Sequence, residues 1–104
     1  MENTAETVQE LTPDMGGRWL VTTQGSTHIW DLDSWTYERR PGAGRGNFGG
    51  DGVPQPIWCV KRFPRVGESF YVELDESLTQ IQFRISTEVR RIERITQPDA
   101  VKPV

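Results

Sequence analysis

The chain has 104 residues, of which 35% are hydrophobic and 26% charged, and a formal net charge of −3. That length supports one domain around one modest core, and the composition excludes a disordered or fibrous chain. No apolar run approaches the roughly 20 residues of a membrane-spanning helix, and the lone cysteine, Cys59, excludes an intrachain disulfide or an all-cysteine metal site.

The charge is unevenly spread. Residues 1–15 hold Glu2, Glu6, Glu10 and Asp14 and no basic side chain, whereas Arg39, Arg40, Arg45, Lys61, Arg62 and Arg65 face only Asp51 in the middle of the chain. Residues 1–15 contain few large apolar side chains and no hydrophobic stretch of a secretory signal, so they are expected to be a flexible acidic arm on a cytoplasmic protein. A single β domain is expected over residues 16–96 and a flexible tail over 97–104.

Gly16-Gly17 opens the ordered part. Residues 18–23 (RWLVTT) are rich in the aromatic and β-branched types that fit a pleated, half-buried surface. A short glycine-containing turn at Gln24-Gly25-Ser26 leads to a second strand over 27–32, which predicts a β-hairpin. Asp33-Ser34 turns the chain into a third strand over 35–40, completing an antiparallel meander. Residues 41–56 then contain six glycines and three prolines, through which neither helix nor strand propagates. A connection of that length is either functional or disordered.

Strand patterning resumes at 57–63 (IWCVKRF), 69–74 (SFYVEL) and 81–85 (IQFRI). Alternation places Phe70, Val72 and Leu74 on one face, and Ile81, Phe83 and Ile85 together on another strand's face, read as inward. Val89, Ile92 and Ile95 recur every third residue, so 87–95 is either a bulged edge strand or a one-to-two-turn helix. The fold expected is therefore all-β: a small antiparallel barrel or sandwich of six to seven short strands, with a long Gly-rich loop at 41–56. Its core is expected to hold Trp19, Val21, Trp30, Leu32, Val60, Phe70, Val72, Leu74, Ile81, Phe83 and Ile85.

Gly44-Arg45-Gly46-Asn47-Phe48-Gly49 fits G-x-G-x-x-G, but a dinucleotide site needs a strand turning directly into a helix whose amides hold the pyrophosphate. The following GDGVPQP starts no helix, and no Gly-Lys-Ser/Thr marks a phosphate loop. Arg45 to Gly50 instead resembles the arginine-glycine segments of RNA-binding proteins, in which Arg neutralises phosphate and an aromatic ring such as Phe48 stacks on a base.

No catalytic constellation emerges. His28 shares a strand face with Trp30 and Leu32 while Asp31 points away, so the two form no local acid–base pair. Asp31 and Asp33, with Glu73 or Asp75, offer oxygen ligands for a hard cation, yet an Asp closing a strand also bonds the turn it opens. Neither a metal nor another cofactor is expected, and Cys59 reads as a buried thiol. Four tryptophans are not easily all buried in so small a core, so one or two are expected to be part-exposed, and Trp35 beside a turn is the candidate.

The function expected is non-catalytic binding. The first version is a protein-interaction or assembly module using a sheet edge or exposed Trp35. The second is a nucleic-acid-binding small barrel using Arg39, Arg40, Arg45, Phe48, Lys61 and Arg62. The third is a pocket for a small anionic ligand using the same arginines.

Overall fold

β-branched side chains are stiff at χ1, and they and aromatic side chains pack well on a pleated surface; runs of them broken by Gly, Pro and Asp turns give seven strands among the described residues. A computed structural model describes residues 6–42, 52–77 and 80–96. The strands are β1 (Arg18–Thr23), β2 (Ser26–Asp31), β3 (Thr36–Pro41), β4 (Gln55–Arg62), β5 (Tyr71–Ser77), β6 (Gln80–Ile85) and β7 (Val89–Arg94). Every pairing is antiparallel, in the order β6-β5-β4-β3-β2-β1-β7. Among the described residues there is no helix, and so none long and apolar enough to cross a membrane.

The sheet turns over at β4. This strand meets β3 only at Thr36↔Pro56 and Tyr37↔Gln55, then runs on beside β5. The two halves face each other across the core, where the Phe70 ring lies edge-on to His28, Trp30 and Tyr37 at centroid distances of 4.9, 5.1 and 5.8 Å. The outcome is a sandwich-like all-β domain, and of the two expected architectures the closed barrel is the one not formed.

Three strands carry an extra residue, and these bulges decide which side chains face inward. On β7, Thr22 pairs with Arg91 and Thr23 with Val89, so Arg90 is skipped. Val89 and Ile92 therefore both reach the core, although a regular strand would send them to opposite faces. The three-residue spacing that resembled a helix is that of a bulged edge strand. On β4, Trp58 is skipped between Ile57↔Leu74 and Cys59↔Glu73, and Lys61 between Val60↔Val72 and Arg62↔Tyr71.

The chain before β1 is part of the fold. Val8 N–H donates to Ile92 O (3.1 Å), Arg94 N–H to Glu6 O (2.8 Å) and Leu11 N–H to Pro64 O (3.0 Å). Leu11 is 1% exposed and joins the core cluster. Residues 6–15, expected as a flexible arm, thus lie along the free side of β7 and tie it to the β4–β5 connection. The residues 97–104 expected as a tail lie outside the described residues.

Most expected core positions are buried: Trp19, Val21, Trp30, Leu32, Phe70, Val72 and Leu74. Val60 is half-buried against them. Phe83 and Ile85 are the exceptions, at 56% and 57% exposed. Cross-strand partners share a face. Arg84 is paired with the buried Val72 and Gln82 with the buried Leu74, so Gln82 and Arg84 face inward, and Phe83 and Ile85 face out beside Glu73 and Tyr71. The side chain of Ile81 lies outside the described residues. Tyr37, Ile57, Val89, Ile92 and Leu11 complete the interior.

Candidate functional site

At one end of the sandwich the inward positions turn polar. Inward alternation along β1 runs Trp19, Val21, Thr23; along β2 it runs Trp30, His28; along β3, Tyr37, Arg39. Arg84 comes in from β6. Thr23, His28, Tyr37, Arg39 and Arg84, with Phe70 and the Gly25-Ser26 and Ile85–Thr87 segments, surround a cavity of about 200 Å³.

A hydrogen-bond relay fills its floor. The Thr23 hydroxyl donates its one proton to Ser26 O (3.2 Å), so it accepts from His28 Nε2 at 3.1 Å. That fixes the tautomer: Nε2 carries the proton and Nδ1 accepts from the Tyr37 hydroxyl at 2.8 Å. Burial, reinforced by the positive charge of Arg39, pushes the His28 pKa down to about 3. His28 is therefore a neutral, saturated link at physiological pH, with both ring nitrogens occupied.

The second feature lies on the opposite face. Tyr71 and Phe83 pack with ring centroids 5.9 Å apart and planes tilted by 58°, Tyr71 is paired with Ile85, and Trp58 projects from its β4 bulge at 57% exposure. This apolar surface sits beside β6, whose outer edge pairs with nothing among the described residues. The edge of β7 differs: it carries Arg90, Arg91, Glu93 and Arg94, and Thr7 bridges to Glu93.

The expected site residues do not form one face. Arg39 lines the cavity. Arg40 points outward and its Nε donates to Glu38 Oε2 at 2.8 Å. Because β3 and β4 are antiparallel and touch only near Tyr37 and Gln55, Arg39 and Arg40 run one way from that point while Lys61 and Arg62 run the other. Arg62 donates to the Ser69 hydroxyl at 3.1 Å, and Arg65 pairs with Glu10 at 3.6 Å. Arg45 and Phe48, with most of the glycine-rich segment 41–56, fall in residues 43–51, outside the described residues.

Trp35 is half-buried, in line with the part-exposed position expected for it. It takes a left-handed φ of 64° at the end of a turn in which Asp31 Oδ1 accepts from the N–H groups of Asp33 and Ser34, each at 3.0 Å. Its half-buried ring packs on Phe63, 6.4 Å between centroids. Trp58 is more exposed still, at the surface, because the bulge leaves it outside the alternation of β4. Cys59 is half-buried rather than buried. Among the described residues no group of three or more His, Cys, Asp or Glu side chains comes together to hold a metal ion.

The fold and site define a small antiparallel β-sandwich domain with a polar cavity at one end and an apolar outer surface at one edge. No protein-family model matches the chain, and no curated protein or solved structure matches it either.

Proposed function

We propose that the chain is a non-catalytic assembly module that associates with a second copy of itself through the β6 edge and the apolar surface beside it. The observation that carries this reading is the contrast between the two sheet edges. β7 is covered by residues 6–8 and studded with charge, as proteins protect an edge against pairing. Among the described residues nothing covers β6, which carries Arg84 as its one charged side chain, and the exposed Phe83, Ile85 and Trp58 are apolar or aromatic, as interface centres favour.

The sequence of β6 suits a twofold partner. When two copies pair antiparallel with Phe83 opposite Phe83, Gln82 falls opposite Arg84 and no arginine meets its own copy. Aromatic pairs on the outer face and a neutral–cation pair on the inner face both favour that register. An isologous contact of this kind also closes at two copies instead of propagating.

Amide hydrogen exchange tests the reading. Raising the protein concentration is expected to slow exchange selectively at the edge-facing amides of β6 while leaving β1 and β2 unchanged. Exchange at β6 that is independent of concentration contradicts it.

A further inference from the structure

β7 and the connection from β4 to β5 form the two arms of a fork. At its closed end Val66 bridges to Val89, Gly67 N–H donates to Val89 O and Val89 N–H donates to Glu68 O, the last two at 2.9 Å. Towards its open end residues 6–11 lie between the arms and bond to both. On the β7 side Val8 N–H donates to Ile92 O and Glu6 O accepts from Arg94 N–H. The segment bends at Gln9 and changes sides: Gln9 O accepts from Val66 N–H at 2.8 Å, and Leu11 N–H donates to Pro64 O.

This is the bonding of a strand added to a sheet edge, in which main-chain groups give affinity and side-chain seats give selection. Glu6 Oε1 lies 2.9 Å from Arg94 Nε, Glu10 Oε1 lies 3.6 Å from Arg65 Nε, and Leu11 enters the core. The seat at Arg94 is set by the fold: its guanidinium lies 4.4 Å from the centre of the Trp19 ring, and a Cβ at Gly17 would fall 2.5 Å from it. Glu93 on the same strand is neutralised by Arg91 at 2.7 Å.

The fork stands without the segment. β7 is held by its ladder to β1 and by the bonds to Gly67 and Glu68, none of which uses residues 6–11. The segment is in turn a separate piece, because the Thr12–Met15 turn closes on itself through Thr12 Oγ1 to Asp14 Oδ1 (2.6 Å) and Met15 N–H to Thr12 O (3.2 Å). Of residues 6–11 only Leu11 is fully buried, and so lightly anchored a stretch opens ahead of the rest of a domain. A hollow of about 220 Å³ beside Val8, bordered by Val66, Arg90 and Ile92, shows that the segment does not fill the fork.

We infer that the fork between β7 and residues 64–66 is a peptide-binding slot that residues 6–11 occupy in cis, and that it takes in trans an extended segment of a partner protein with the same chemistry. That chemistry is two carboxylates four residues apart, a β-branched residue midway and a leucine directly after the second carboxylate, as in Glu6, Val8, Glu10 and Leu11. The assignment does not rest on the β6 contact, which lies at the other end of the strand order.

The test is a titration of the ¹⁵N-labelled full chain, held at one concentration, with the blocked peptide ETVQELT. Saturable shifts are expected at the amides of Val66 and Arg94 and at the Trp19 indole, with β6 unchanged. Val8→Pro in the chain removes the amide that bonds Ile92 O and frees the slot. A closed state that leaves about 0.1–10% of molecules open lowers the apparent affinity by that fraction, so this variant is expected to bind the peptide at least about tenfold more tightly. Glu6→Gln with Glu10→Gln, at exposed positions, is expected to tighten binding in the same direction. In the peptide Val8→Pro and Leu11→Ala act with the opposite sign and weaken binding. Chain variants that bind no tighter than wild type, peptide substitutions without effect, or shifts that fall on β6 overturn the assignment. Unlabelled full chain that displaces the peptide as well as free peptide does assigns the slot to a second copy and overturns the partner named.

Discussion

His28 and Tyr37, nine residues apart on neighbouring strands, share a buried 2.8 Å hydrogen bond in which the phenol donates and Nδ1 accepts. The direction follows from the far side of the ring, where Thr23 has already spent its proton on Ser26 O. One backbone carbonyl thereby sets the tautomer of a histidine and the orientation of a tyrosine at the floor of the cavity.

Removing the phenolic oxygen leaves Nδ1 without its donor in a buried site. Tyr37→Phe is expected to cost about 1–3 kcal/mol, the penalty for an unsatisfied buried acceptor. Urea denaturation measures the loss. The ¹⁵N shifts of the imidazole report whether the ring keeps its Nε2 proton, which Thr23 still accepts.

Stability depends on pH through the same ring. The folded-state pKa of His28 is about 3 against 6.5 for the free side chain, so between those values the unfolded chain binds the proton and the folded chain does not. The contribution is fully present above pH 6.5 and is lost as the pH falls towards 3, with a limiting slope of about 1.4 kcal/mol per pH unit. Denaturation curves at several pH values across that window, compared with His28→Gln, isolate this component. A variant with the same slope as the wild type counts against the assignment of the pH dependence to His28.

Leu11 tests whether the segment before β1 belongs to the domain. Its side chain is 1% exposed and lies in the main core cluster, so Leu11→Ala is expected to cost about 2–5 kcal/mol. Thermal denaturation gives the value. A change within about 0.5 kcal/mol, typical of surface positions, contradicts the packing described.

Gly42 tests the close approach of the β1–β2 turn to the end of β3. Its N–H donates to Gly25 O at 3.0 Å, and a Cβ at Gly42 falls 2.5 Å from that same oxygen. Gly42→Ala must push two backbones apart and is expected to destabilise the domain by about 1–3 kcal/mol, as overpacking does. Gly52→Ala serves as the comparison, because there the strain comes from φ +81° with open space around the Cβ.

Much of this molecule was legible as pattern. Runs of β-branched and aromatic residues located the strands, and the meander of β1, β2 and β3 followed from their short turns. His28 was placed correctly with Trp30 by alternation alone. What alternation states is which residues share a face, not which face is the core. On β6 both sets are plausible, and the register with Val72 and Leu74 sends Gln82 and Arg84 inward against the hydrophobic expectation. The bulges at Trp58 and Arg90 are invisible for a related reason, since an extra residue changes parity without changing composition. Leu11 was missed because one apolar side chain in an acidic stretch has no period to betray it.

The candidate sites were less legible than the fold. The cavity draws Thr23, His28, Arg39, Arg84 and Ser86 from positions that meet only when the sheet turns over at β4. Counting basic residues in the middle of the chain brought Arg39 forward but grouped it with Arg40, which alternation turns outward, and with Lys61 and Arg62, which the strand directions separate.

Sedimentation velocity over a range of protein concentrations tests the central claim most directly, with wild type and Phe83→Ser compared under the same conditions. Phe83 is 56% exposed, so its replacement is expected to change the stability of the single domain by less than about 1 kcal/mol. The account predicts a wild-type protein that shifts from one copy to two as concentration rises, and a Phe83→Ser variant that stays a single copy. A wild-type protein that remains a single copy at every concentration, or a variant that associates as strongly as wild type, contradicts it.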